Sequence, residues 1–312
     1  MISSMLSILL LATLLSGFFP TIVNGYSFYI ADPPRQCQNL SFAITGFGTP
    51  PYSVTIVPIG ATPLPNGIEV REVLNQNFTG DSTALSFQLP WPQNSQFVAV
   101  VSIICSITIH ESCGNTVTER TNNSSQVSDA LGFGTGGTSV PINVLNSSDS
   151  SCFNATKEAS PSSFTFSIEG EIAQCNNIRF SMDGPTQGLV MTMSIVPRIL
   201  TPPLFRNLQF QGVIPGGQSF QMDEAENPYT FYSKQGSLAF NWTVSIRGGS
   251  EFIIIGGDSV GIGSGGHSGI LGVAASGYKS NNTCINNQSP SSTAGSPAGG
   301  IATGTSTVSR NK

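Results

Sequence analysis

Asp129–Ser139 reads DALGFGTGGTS, and Asp258–Ser268 reads DSVGIGSGGHS. Position for position the two share Asp, a small residue, an apolar residue, Gly, an apolar residue, Gly, a hydroxyl, two glycines, a variable residue and Ser. Glycines this dense after a strand raise the question of a phosphate cradle. A dinucleotide site needs G-x-G-x-x-G to open a helix whose amides meet the phosphate. Gly132-Phe-Gly-Thr-Gly-Gly137 follows a strand pattern, but TSVPINVL comes next, a second strand pattern with Pro141, and no Lys follows the glycines. The stretch therefore reads as a glycine turn joining the last two strands of a unit, where positive φ and close backbone approach require glycine. No nucleotide is expected.

Working outward, the context of the two stretches repeats as well. CQNLSFAITG from Cys37 resembles CNNIRFSMDG from Cys175, YSVTIVP ending at Pro58 resembles VMTMSIVP ending at Pro197, and ALSFQLPWPQNSQFVAVVS mirrors SLAFNWTVSIRGGSEFIIIGG. Cys152 and Cys284 close the two copies. The chain is a tandem repeat, roughly 34–152 and 170–284. In the first copy, Ile103–Ser128 interrupts the match and carries Cys105, Cys113 and His110. This insert is either a genuine β-extension or a retained intron. Without it, one cysteine stands at each end of each repeat. Symmetry then pairs Cys37 with Cys152, Cys175 with Cys284, and Cys105 with Cys113.

Short runs such as LSFAI, YSVTIV, ALSFQL, FVAVV, FTFSI, IRFSM, LVMTMSIV, LAFNWTVSI and EFIIIGG read as strands, separated by Gly, Pro and Asn turn signals. Gly67–Phe78 fits one short helix or a strand pair, and the matching place of FRNLQFQGVIPGGQSFQM favours strands. The fold expected is all-β: two tandem immunoglobulin/fibronectin-like β-sandwich domains, each strand with one buried and one wet face. The boundaries are residues 1–25 as a signal peptide, 26–152 as the first domain with its insert at 103–128, 153–169 as a linker, 170–287 as the second domain, and 288–312 as a disordered Ser/Thr/Gly/Pro-rich tail. The short Ser-rich link predicts domains placed end to end.

Leu6–Phe19 is a nearly continuous apolar run, and small residues Val23 and Gly25 place a cleavage site before Tyr26. A secreted or extracellular protein, at the cell surface or in the cell wall, is expected. Six cysteines without a CxxC suit disulfides better than zinc. Nine N-glycosylation sequons occur, at Asn39, Asn77, Asn122, Asn123, Asn146, Asn154, Asn241, Asn281 and Asn287. Only 9% of residues are charged and the net charge is −5, so no basic block exists to neutralise a nucleic-acid backbone. After the second repeat no apolar segment follows, and no membrane span is expected.

Candidate chemistry is sparse. Asp129 and Asp258 stand at equivalent places beside loop carbonyls and are candidates for weak calcium binding, although each loop offers a single carboxylate. His110 and His267 are unmatched between copies, and no G-x-S-x-G elbow accompanies them. Asp223, Glu224 and Glu226 read as a solvated turn rather than an acid pair. No catalytic residue, cofactor or metal is expected. Trp91 and Trp242 are candidates for a ligand platform, against the alternative that an alternating strand turns them into the core.

The motifs together resemble an uncharacterised family of secreted or cell-surface proteins of basidiomycete fungi. The resemblance rests on Cys37, Pro50, Pro51, Tyr52, Asp129, Gly134, Gly136, Gly137 and Cys152, and in the second copy on Cys175, Asp258, Gly263, Gly265, Gly266 and Cys284, over roughly 34–288. It implies no catalytic residues. Members often continue past the Ser-rich stretch into one transmembrane helix; this sequence departs there and in its 103–128 insert, and a truncated or mis-spliced gene model would explain both departures. The function expected is a non-catalytic glycosylated extracellular or cell-wall-associated structural protein. The alternative is a secreted carbohydrate- or protein-binding module or effector. Its partners would be cell-wall polysaccharide or other surface proteins.

Overall fold

The structure is a computed structural model that describes residues 26–46, 50–61, 72–103, 136–152, 162–183, 209–222, 230–232, 237–258, 260–275 and 282–286, together with Gly48, Leu64, Gly134, Ser289, Pro290 and Ser292. The expected signal peptide, the insert beyond Ile103 with Cys105, Cys113 and His110, and most of the tail lie outside the described residues.

Every regular element described is a strand. The first half holds β1 (Tyr26–Ile30), β2 (Asn39–Gly46), β3 (Tyr52–Ile59), β4 (Leu74–Phe78), β5 (Ala84–Gln88), β6 (Gln96–Ile103) and β7 (Ile142–Asn143). The second half holds β8 (Thr165–Glu169), β9 (Asn177–Asp183), β10 (Gln209–Val213), β11 (Ser219–Gln221), β12 (Thr230–Tyr232), β13 (Ser237–Thr243), β14 (Glu251–Gly257) and β15 (Leu271–Gly272). They form four antiparallel sheets, each from one half alone: β1-β2-β5 and β4-β3-β6-β7, then β12-β13-β9-β8 and β11-β10-β14-β15. Residues 165–169, assigned to the linker from sequence, are β8, registered along β9 from Thr165 opposite Asp183 to Glu169 opposite Arg179.

In β2 and β9 the burial alternates, with Leu40, Phe42 and Ile44 inward in one and Ile178, Phe180 and Met182 inward in the other. This is the period-2 pattern of a sheet with one wet face. The first core joins these residues of β2 to Tyr52, Val54 and Ile56 of β3 and Phe97, Ala99 and Val101 of β6. The second core is built the same way from β9, β13, β10 and β14, and is dominated by rings, with Phe180 stacked on Phe240 at 4.8 Å.

In β3, β6 and β14 the alternation disappears. β3 is buried along its whole length, and β14 is buried from Phe252 to Gly257. The reason is a third core. Val57 and Ile59 of β3 and Val98 and Val100 of β6 meet Val213 of β10 and Ile253 and Ile255 of β14, with Val73 and Ile262 packed at the margin. The two inner sheets therefore face one another, and the four sheets form three apolar layers between them. The end-to-end placement and the wet outer face expected for these strands are both corrected. An apolar side chain on this face gains roughly 1.5–3 kcal/mol by leaving water, and the other half offers the only described surface that removes it from water.

The pairing of segments also needs correction. β10, beside β14, holds the place that β3 holds beside β6. The segment VMTMSIVP, matched to β3 by sequence, lies outside the described residues. Gly67–Phe78 ends in β4, a strand, as the matching segment suggested.

Cys37 is bonded to Cys152 and Cys175 to Cys284, with Cα–Cα distances of 5.1 Å and 5.3 Å. The surroundings are duplicated. Each first cysteine has positive φ, 56° and 59°. In each bridge the second cysteine's amide donates to the first sulfur, at 3.2 Å and 3.1 Å. Beside Cys152, the amide and hydroxyl of Ser151 both donate to Asp149, which holds that carboxyl below its usual range.

Candidate functional site

The glycine stretches read from sequence as turns rather than a phosphate cradle, and their geometry answers the question they raise. A phosphate cradle needs unpaired amides that converge on a ligand. Here the amides already have acceptors. Gly134 donates to Ser102 Oγ at 2.8 Å, Gly136 to the Val101 carbonyl at 2.9 Å, Gly137 to Gly134 at 2.8 Å and Ser139 to Ala99 at 2.8 Å. The second copy repeats the scheme: Gly265 donates to Gly256, Gly266 to Gly263 and Ser268 to Ile254. Ser139 Oγ and Ser268 Oγ complete it by accepting from the amides of Ala99 and Ile254, each at 2.9 Å. The stretch is thus an irregular ribbon laid along the edge of β6 or β14.

Its glycines have two separable jobs. A Cβ on Gly136 would overlap the Tyr26 ring, and one on Gly265 would overlap Phe164, each in its own half. A Cβ on Gly134 would overlap Ser219, and one on Gly263 would overlap Val73, each in the opposite half. One glycine therefore lets the ribbon close its own core, and another lets the two halves approach. The contact between halves is reciprocal, as in an interface with a two-fold axis.

One motif position carries different residues in the two copies. Thr138 is buried, and its hydroxyl lies 2.6 Å from the Ile214 carbonyl and 2.9 Å from the Gly217 carbonyl, while the Gly217 amide lies 3.1 Å from it. Gly216 donates to the Ser139 carbonyl at 2.8 Å. The tight β10–β11 turn is thereby held by the first half's ribbon. His267 stands at the equivalent place in the second copy. Its Nδ1 lies 2.6 Å from the carbonyl of Ser268, and because a carbonyl only accepts, that nitrogen carries the proton. No Ser–His–carboxylate chain is formed by these contacts. The role of Thr138 was missed by sequence reasoning. The signal for it was that this is the one variable position in an otherwise matched motif.

Asp258 is 7% exposed and serves as an internal brace. Its Oδ1 accepts from the Val260 amide at 2.8 Å and from Ser264 Oγ at 2.7 Å, and its Oδ2 accepts from Ser163 Oγ at 3.0 Å. Both oxygens accept from the chain's own donors, so this candidate for weak calcium binding serves as an internal brace of the loop. Among the described residues no group of three or more His, Cys, Asp or Glu side chains comes together to hold a metal. Asp129, Asp223, Glu224 and Glu226 lie outside the described residues.

The two tryptophans take the core alternative and not the ligand platform. Trp91 is 1% exposed and meets Phe97 edge-on at 5.8 Å; Trp242 is 8% exposed and stacks on Phe220 at 6.1 Å. Trp242 lies on the inward side of β13 opposite Ile178, whereas Trp91 follows β5, so they are not equivalent positions. Both indoles are drawn inward because these are the bulkiest apolar groups in their segments and each lies against the core of its own half. Of the sequons, Asn39, Asn77, Asn146 and Asn241 are exposed; Asn122, Asn123, Asn154, Asn281 and Asn287 lie outside the described residues. No helix among the described residues is long and apolar enough to cross a membrane. No family model and no curated protein sequence matches the chain.

Proposed function

We propose that the chain is a non-catalytic, disulfide-bonded extracellular glycoprotein with a structural role at the cell surface or in the cell wall. The observation that carries this reading is the inward use of its chemical candidates. The glycine motif, Asp258 and both tryptophans, which sequence alone offers as ligand groups, are spent on closing cores and joining the halves. Four exposed sequon asparagines and two wide-spanning disulfides support an oxidising, glycosylating compartment. The leader-like stretch at residues 1–25 and the resemblance to fungal surface proteins agree with it.

We also infer that the units are of immunoglobulin/fibronectin type. Lettered in chain order, the second half has A-B-E-D in one sheet and C′-C-F-G in the other. The first half has the same orders without a D strand. A sandwich of this kind licenses many functions, so the argument rests on the residues rather than on the fold. Expression in a secretory host and mass analysis of the medium test the reading. The expected product starts at Tyr26, has no reactive thiol, and carries glycan on Asn39, Asn77, Asn146 or Asn241. Protein held in the cytosol, or all four asparagines unmodified, refutes it.

A further inference from the structure

We propose that the outward face of the β1-β2-β5 sheet is a docking platform for a neutral polysaccharide, centred on Tyr29. The inference rests on the extracellular reading above, since such polymers are met there, but it assigns a binding site that the structural role does not require.

The registers place the outward residues in rows. Tyr29 lies opposite Ala43, and Ala43 opposite Ala84. Tyr29 is 56% exposed, the only aromatic among the large exposed apolar residues described. With methyl groups at the other two positions of the row, on β2 and β5, nothing in it rises to cover the ring. On one side of this row Ser27 Oγ and Thr45 Oγ1 pair at 2.9 Å; on the other Ser41 Oγ and Ser86 Oγ pair at 3.1 Å. In each pair one hydroxyl donates to the other, and every one of them keeps acceptor capacity. An exposed ring bordered by adaptable hydroxyls is the composition that proteins use for contact at low entropic cost. A ring face also attracts the positively polarised C–H edges of a sugar, and the hydroxyl rows suit its OH groups.

The other half supplies an internal comparison. Ser167 of β8, opposite Ser181, stands where Tyr29 stands. The neighbouring row there holds Glu169 and Arg179, 3.9 Å apart, and Asn241, a sequon asparagine. Glu169 and Arg179 make that face charged, whereas no Asp, Glu, Lys, Arg or His stands on β1, β2 or β5. Two faces of one duplicated sheet have thus diverged. The neutral one offers nothing to a polyanion or a basic peptide, and this charge match selects an uncharged polyol as the occupant. Asn39 is on the same face, but four residues along β2 from Ala43, about 13 Å at strand spacing, so a glycan there leaves the Tyr29 row open.

The test uses the intact, oxidised, glycosylated chain in sedimentation assays with insoluble β-glucan and chitin, and polygalacturonate beads as the anionic control. Retention on a neutral polymer is expected, and Tyr29→Ala and Ala43→Glu should each lower it about tenfold or more. Ser167→Glu, on the other half, should leave it unchanged. Both positions on the platform are solvent-facing, and unchanged melting curves would show that the variants fold. The proposal is overturned by no retention on either neutral polymer, by retention on the anionic beads alone, or by retention that Tyr29→Ala and Ala43→Glu do not reduce. It is also overturned if Tyr29→Ala converts a dimer to a monomer on light scattering without neutral-polymer retention, because the occupant is then a second copy. Correct secretion with no binding would leave the structural reading standing and remove this one.

Discussion

The two halves of the molecule use one plan with different surfaces. Ser139 and Ser268, Gly136 and Gly265, and Cys37 and Cys175 make the same contacts in both. The halves part at Thr138 and His267, at the extra edge strand β12, and on the outer sheet faces. What both copies share closes a core or, at Gly134 and Gly263, lets the halves approach; what differs lies at the rest of the joint or faces the solvent. Duplicated position is therefore a guide to structural duty here, and divergence at a duplicated position is a guide to where the two units acquired separate roles.

The largest effect expected is equal damage from the two disulfides. The bridges span 115 and 109 residues. Loop-closure entropy then predicts a loss of roughly 4–5 kcal/mol for either one. Urea unfolding of Cys37→Ser/Cys152→Ser and Cys175→Ser/Cys284→Ser chains measures it. A difference of several kcal/mol between the two variants would break the equivalence of the halves.

Next comes the face that joins them. Ile255→Asp places a charge in the layer between β6 and β14, and a cost of about 4 kcal/mol or more is expected. Trp91 and Trp242 report separately on the two halves, each from its own core. In Trp91→Phe and Trp242→Phe chains the fluorescence transitions should coincide in urea, and Ile255→Asp should separate them. Transitions already separate in the parent chain would mean that the shared layer does not couple the halves.

Thr138→Val sharpens the asymmetry. It removes the hydroxyl that bridges two carbonyls and an amide of the β10–β11 turn, while the Gly217 amide and Ile214 carbonyl keep each other at 2.9 Å, and about 1–2 kcal/mol should be lost. His267→Val, at the equivalent place, is the matching variant, and a loss less than half as large in the same melt would show that the two ribbons clamp their neighbours unequally. Similar losses would show that both ribbons clamp their neighbours alike.

The smallest effect should again be symmetric. Gly137 and Gly266 have φ of 85° and 77°. Substitution of either by Ala should cost about 1 kcal/mol from the left-handed backbone alone. Differential scanning calorimetry would detect it, and a neutral result at one position would mean that ribbon can adopt another conformation.

Much of the fold was legible in residue pattern. Alternation in NLSFAITG and NIRFSMD corresponds to β2 and β9, and the two glycine stretches correctly marked equivalent ribbons, because local period and backbone strain are written in consecutive residues. The helix alternative for Gly67–Phe78 yielded to β4, since an edge strand gains its hydrogen bonds from a distant partner, β3. β12 and β15 left little trace, being three and two residues long and defined by their neighbours.

The candidate site was less legible. Sequence named the glycine ribbons, Asp258, Trp91 and Trp242, and all four serve packing rather than a ligand. Whether an indole faces water depends on which side of a strand meets a second sheet. Tyr29 drew no attention because exposure of a single ring depends on what its cross-strand neighbours carry. By itself the sequence determined the duplication, the strand type and the bracketing cysteines, all of which follow from local period, backbone strain and repeat symmetry. Only the tertiary structure decided that FVAVV and FIIIGG are buried on both faces. Those continuous apolar runs carried the hint, but a run shows only that both faces are apolar, and the surface that covers the second face comes from the other half of the chain.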